Sequence, residues 1–346
     1  MAHLAVMYEA VKAEDPGAAV VLGGCGYDVF SSEQGSRERQ FFDHLVSAGR
    51  DWFDLFSVHL YGEVTAIPGY LDTARQLMLA HGYLKPIVVG EHAGPVPFEY
   101  PEVASVIRQV LAEGFAEPAP AQTLDELTRQ AAIQTPERRA MAALYARRAQ
   151  LPPQVQMFMA DCPPELEAQR HRINSRQVVM RTLLALAGGV RRTAYWDLAP
   201  EVPDWTDPYQ IMHLLFGKLP LLDHRKGTLG HRHPAADAFA LLAERLAGAD
   251  RVTRVTLEGR PSLYAFEVER TGRPPLLVLW DHRDAFTGEA DPPTVVIWPW
   301  PASGAIAVDA SGDGLDADVH DGMLHLKVSL TPVFVDPVFG TEAPVL

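Results

Sequence analysis

An alternation in the N-terminal portion of this chain constrains its fold more than any other feature. Four short apolar runs, each too short for a helix, end in polar, aromatic or glycine residues. Ala19-Val20-Val21-Leu22 ends in Gly23-Gly24, and Phe53 to Val58 runs into His59-Leu60-Tyr61-Gly62. Ile87-Val88-Val89 runs into Gly90-Glu91-His92, and Arg192 to Tyr195 ends in Trp196-Asp197. Helical stripes lie between them: Phe42, Leu45 and Val46 before the second run, and Leu71, Ala74, Leu77 and Met78 before the third. Val179, Leu183 and Leu186 precede the fourth, with Asn174 or Ser175 as a candidate N-cap, and Phe239, Leu242 and Leu246 follow it. Strand alternating with helix predicts a parallel sheet.

The segment KPIVVGEHAGP, residues 85 to 95, places one acidic residue, Glu91, where a strand opens into a loop. In an α/β barrel that end of the strand is the catalytic face. Val58 and Leu60 alternate with His59 and Tyr61, so the two polar rings share one strand face. Tyr61 is placed to donate its hydroxyl to Glu91 and hold the carboxylate ionised. His59 is either a satisfied core histidine or a contact to Glu91 or substrate. His92 follows Glu91 directly and is expected to point the other way, supporting the substrate site from behind. Trp196 is either simple core or, as an aromatic at a strand's mouth, suited to stacking on the apolar face of a ligand ring. Asp197 either binds a sugar hydroxyl or caps a turn.

These residues carry a resemblance to the clan A retaining glycoside hydrolases. YEAVKAEDPGAAVVLGG, residues 8 to 24, resembles the helix and fifth strand of their barrels. FDLFSVHLYG resembles the sixth strand, KPIVVGEHAG the seventh and TAYWDL the eighth. The resemblance implies a partial (β/α)8, or TIM, barrel of strands five to eight over residues 1–248. Glu91 is then the nucleophile, His59 and Tyr61 flank it, and Trp196 floors the sugar subsite with Asp197 and His92 beside it. No metal or cofactor is implied.

The family's acid/base Glu, at the end of the fourth strand, has no counterpart among these residues. Retaining hydrolysis needs two carboxyl groups about 5 Å apart. Asp28, Glu63, Asp197 and Glu201 lie near strand ends, but none stands where the family places its acid. This chain alone is therefore expected to turn over weakly or not at all. Four strands would also leave two open edges, which invites pairing with a second copy or with a missing fragment.

Composition sets bounds. Net charge is −14 over 346 residues, which disfavours nucleic acid and anionic membrane as partners. Hydrophobic residues make up 47% of the chain, enough for a sizeable core. No apolar stretch reaches the roughly 20 residues of a membrane helix, and Glu9, Lys12, Glu14 and Asp15 interrupt the start where a signal peptide would run. Cys25 and Cys162 cannot form a disulfide framework, although one bridge is possible. His224, His231 and His233 cluster in HRKGTLGHRH, yet the interleaved basic residues read as a solvated loop rather than a zinc site. GGCG at 23 to 26 is too short for a dinucleotide loop.

Residues 95–173 read as an insertion, with proline-rich stretches and helical pieces at Tyr100 to Glu113 and Pro136 to Gln150. It either overhangs the catalytic face or forms a peripheral cap. From residue 249 to 346 the pattern becomes short alternating runs: Val252–Leu257, Leu263–Val268, Leu276–Trp280, Thr294–Trp298, Ala305–Val308, Leu324–Leu330 and Val333–Val335. Glycine turns separate them, as expected of an antiparallel β-sandwich. Trp280, Trp298 and Trp300 fall in these runs and are expected in its core, whereas Trp52, Trp196 and Trp205 are freer to meet a sugar.

Three functions follow. The first is a retaining glycoside hydrolase acting on a β-linked carbohydrate. The second is a noncatalytic carbohydrate-binding or assembly protein that keeps the pocket aromatics. The third is an α/β enzyme of another reaction type with Glu91 as general base.

Overall fold

A computed structural model of the chain describes residues 2–33, 35–114, 135–200, 208–225 and 227–340. It has two compact units: residues 1–94, 173–196 and 234–346 form one, and 95–172 with 197–233 form the other.

The first unit holds a four-stranded sheet in the order β1-β2-β3-β4: Val21–Cys25, Leu55–Leu60, Ile87–His92 and Thr193–Tyr195. All three pairings are parallel. Helices Arg37–Ala48 and Ile67–Leu79 connect successive strands. Ser36 caps the first of these, its side chain accepting from the Arg39 N–H. Strand residues Leu22, Phe56, Val58, Leu60, Ile87 and Val89 are buried, as are Val46, Leu71, Ala74, Met78, Val179 and Leu183 of the helices. The apolar periodicity therefore marks real buried faces. Asn174 and Ser175 are not an N-cap. Helix Pro164–Ala187 runs through them, and both are buried in its middle.

The same unit carries two antiparallel sheets. One has the order β12-β11-β15-β9-β8-β7: Gly314–Leu315, Gly304–Asp309, Val333–Val338, Leu276–Asp281, Leu263–Arg270 and Ala249–Val255. The other, β10-β14-β13, comprises Thr294–Pro299, Met323–Val328 and Ala317–His320. Inward residues of both, among them Leu277, Leu279, Trp298, Leu324, Leu326 and Val335, form one apolar core. Trp280 is fully buried between Tyr264 and Phe266, stacked at ring-centroid distances of 5.2 and 5.1 Å. Within this unit Arg176 donates to Glu289 Oε1 at 2.7 Å and to the Ala285 carbonyl at 3.0 Å. These bonds tie the helix that precedes β4 to the loop after β9.

In the second unit, helices Pro101–Gly114 and Pro136–Ala146 occupy the two segments that read as helical. The histidine-rich stretch is not a loop but a hairpin, β5 Leu222–Arg225 paired with β6 Thr228–Arg232. Gly227 stands at φ 74°, a turn conformation that costs other residues more. His233 stacks on His171 at 5.0 Å. Among the described residues no group of three or more His, Cys, Asp or Glu side chains is arranged to hold a metal ion, and no helix is long and apolar enough to cross a membrane. Cys25 is buried and Cys162 half-buried, and the two are not joined in a disulfide.

Candidate active site

The C-terminal ends of β2 and β3 bring three of the expected residues together. Tyr61 Oη donates to Glu91 Oε2 at 2.9 Å, and His59 Nδ1 lies 3.1 Å from the same oxygen. The imidazole tautomer that satisfies this contact carries its proton on Nδ1. Both contacts fall on the same carboxylate oxygen, Oε2. The His59 and Glu91 side chains keep 23% and 26% of their exposure, so the carboxylate is rigidly held yet reachable.

The strand register explains this convergence. Val58 pairs with Val89, but His59 pairs with Glu91, so β3 carries one extra residue, Gly90, at that point. The pairing with β4 slips at the same place, from Val89–Thr193 to His92–Tyr195. A bulge re-aims the side chain beside it, and here it turns Glu91 to the face of His59. Gly90 has no alternative, because a Cβ there would overlap the Ser57 hydroxyl. β1 slips likewise, between Leu22 and Cys25. A Cβ on Gly24 would overlap the His59 ring. The two glycine positions are therefore the seats of the acid and its histidine.

Electrostatics favour an ionised Glu91. Burial pushes its carboxyl up, but the hydrogen bond and charge of His59 and the bond from Tyr61 outweigh it, and the net shift is downward. Burial, then the negative charge of Glu91 and the bond to it, drive the Tyr61 phenol well above its ordinary value. Tyr61 thus stays a donor at any working pH.

His92 occupies the opposite strand face. It is 1% exposed, edge-on to Tyr195 at 5.7 Å, and neither ring nitrogen has a hydrogen-bond partner among the described residues. Burial and the nearby Arg181 charge lower its pKa to about 3, so the ring is neutral. As folded it presents no surface to a substrate. Trp196 is half-buried at the end of β4, and its backbone N–H donates to the His92 carbonyl at 3.0 Å. Asp197 belongs to the second unit, where its carbonyl accepts from the Leu221 N–H at 3.0 Å. Glu63 caps a short turn through Thr65 and faces His282 at 3.8 Å. The Asp28 side chain, Glu201 and Trp205 lie outside the described residues.

The sequence reading found the helix behind this face but missed its buried polar side chains. Asn174, Gln177 and Arg181 sit at spacings of three and four on Pro164–Ala187 and are all buried. Asn174 Oδ1 accepts from Tyr195 Oη at 2.9 Å, and Gln177 Oε1 accepts from Arg181 Nη2 at 2.8 Å. A polar stripe at helical spacing was the available signal.

Neither a scan of family models nor a search of curated proteins returns a match. Solved structures do match. A family 39 glycoside hydrolase from the gut symbiont Bacteroides cellulosilyticus WH2 aligns with a TM-score of 0.52 at 14% identity, covering 97% of this chain and 54% of its own. A family 51 α-L-arabinofuranosidase from Bifidobacterium longum aligns at 0.49 and 12%, covering 96% and 61%. The catalytic domain of a GH30 xylanase C from Talaromyces cellulolyticus aligns at 0.47 and 10%, covering 97% and 55%. At such identity only the first likeness carries weight, and it speaks to fold alone. The chain spans little more than half the length of that structure. Its fold is like that of the family 39 glycoside hydrolase.

Proposed function

We propose that this chain is the nucleophile-bearing portion of a retaining glycoside hydrolase acting on a β-linked carbohydrate. In this reading β1 to β4 are the fifth to eighth strands of a (β/α)8 barrel, and the two antiparallel sheets are the β-sandwich beside it. The single observation that carries it is the convergence of Tyr61 Oη and His59 Nδ1 on Oε2 of Glu91. The arrangement pins one carboxylate oxygen and leaves Oε1 to attack.

In the first step Glu91 Oε1 bonds to the anomeric carbon as the bond to the leaving oxygen breaks. In the second, water displaces Glu91 from the glycosyl ester, and two inversions retain the configuration. Trp196 offers its ring as a sugar platform. The groups that set the Glu91 pKa are His59 and Tyr61, with no carboxylate among them. In this reading the acid that protonates the leaving group lies outside the described residues of this chain.

Aryl β-glycosides with activated leaving groups test this, since they need little acid assistance. With azide present, the expected product is the β-glycosyl azide, formed when azide rather than water displaces Glu91. Glu91→Ala should abolish that product. Any azide adduct it still makes should be the α-anomer, from one direct displacement. Sugar binding without any turnover would instead favour the noncatalytic carbohydrate-binding reading.

A further inference from the structure

Arg181 lies 1% exposed on helix Pro164–Ala187, directly behind the strand ends. Its Nη1 donates to the Leu60 carbonyl at 3.1 Å and its Nη2 to the Gly62 carbonyl at 2.6 Å. Nε and Nη2 also donate to Gln177 Oε1, at 3.1 and 2.8 Å. The two carbonyls bracket Tyr61. Holding the carbonyls on both sides of one residue fixes that residue's backbone and the direction of its side chain. Gly62, at φ 81°, supplies the turn that lets both carbonyls face the same guanidinium. Gly94, just beyond β3, makes room for the fork, since a Cβ there would overlap Gln177 Oε1 and stand 2.7 Å from Arg181 Nε and Nη2.

A guanidinium removed from water is costly unless its donors find acceptors. A rigid planar fork of five donors also holds two carbonyls and an amide in fixed geometry, which a compact ammonium does not. Nearby His92 is neutral, so it adds no competing charge.

We infer that Arg181 is a positioning residue for the active site: by clamping Leu60 and Gly62 it holds the Tyr61 hydroxyl on Glu91 Oε2. This rests on the functional reading above, and the group it acts on, Glu91, faces Tyr61 and His59.

Arg181→Lys tests it, keeping the charge and losing the fork. With activated aryl β-glycosides, kcat should fall by up to about tenfold, no more than Tyr61→Phe costs. KM should change little. The Glu91 carboxyl, followed by ¹³C NMR titration, should have its pKa raised, because Tyr61 no longer holds the ionised form. The deciding comparison is Tyr61→Phe with and without Arg181→Lys. If Arg181 acts through Tyr61, the double variant is no slower than Tyr61→Phe alone. Losses that multiply, or an unchanged Glu91 titration in folded Arg181→Lys, overturn the proposal. Should Arg181→Lys not fold, Gln177→Leu, which removes the amide that steadies the guanidinium, carries the same comparisons. If the wild-type chain turns over no activated aryl β-glycoside, with or without azide, the proposed function is what fails, and the Glu91 titration still decides the role of Arg181.

Discussion

The parallel pairings of this molecule all slip in register, whereas among the described antiparallel pairings of the first unit only β7 with β8 does, at its outer end between Ala249 and Arg251. β8 with β9, β10 with β14 and β11 with β15 each run six consecutive pairs without a slip. Each of the three parallel pairings slips at or toward its C-terminal end. In the regular sheets, strict alternation sends apolar residues to one shared core, and β9 is buried at all six positions. In the slipped sheet, alternation is broken where Glu91 must turn toward His59. Regularity there would point the carboxylate to the face that His92 now fills. A bulge gives up ladder hydrogen bonds to aim a side chain, and the molecule spends that irregularity where chemistry is proposed.

The comparison separates activity from stability, and single substitutions can break it. Glu91→Gln should reduce turnover of aryl β-glycosides roughly 10⁴-fold or more while moving the urea-unfolding free energy by only about 1 kcal/mol. A comparable loss in both would make Glu91 a structural residue. Trp280→Ala does the reverse. Removing a fully buried ring stacked on Tyr264 and Phe266 should cost about 3–5 kcal/mol of stability. Whatever folded fraction remains should titrate Glu91 as the wild type does. Denaturant unfolding with the Glu91 NMR titration reads both quantities.

Gly24→Ala sharpens the comparison from the side of the bulge. Its Cβ would overlap the His59 ring, so the ring must leave Glu91. Turnover should fall about tenfold, close to the worth of one hydrogen bond to a charged group, with about 1–3 kcal/mol of destabilisation from overpacking. Adding His59→Ala to Gly24→Ala should cost little more. A full additional loss would mean that His59 still reached Glu91 and that the glycine is no seat for it.

The parts legible in the sequence are those with a side-chain period. The four apolar runs became β1 to β4, and the alternation of Val58 and Leu60 with His59 and Tyr61 put both rings on the face that Glu91 joins. The slips at Gly90 and near Gly24 were not legible, because an extra glycine adds no side chain to the pattern. Asn174 read as a helix start because buried asparagine is rare in mid-helix, and its bond to Tyr195 is a tertiary fact. Arg181 drew no notice for the same reason: an arginine on a helix ordinarily reaches solvent. β12 and β13 are short and largely exposed, so no apolar run announced them.

The smallest expected effect is also the sharpest in sign. Glu91 is held below the ordinary carboxylate range because His59 and Tyr61 favour its ionised form over the opposing effect of burial. A carboxylate with a depressed pKa lends stability that is present above its unfolded value and is lost as pH falls through the folded value. The acid limb of any activity that needs ionised Glu91 lies at that lowered pKa. Tyr61→Phe removes one of the interactions that lower it and leaves the carboxylate buried, so the acid limb must move to higher pH. Turnover at neutral pH should fall about tenfold, since the carboxylate remains ionised there and loses mainly its aim. A limb that moves to lower pH would mean that Tyr61 destabilises the carboxylate. The slipped register would then serve some purpose other than presenting an ionised nucleophile.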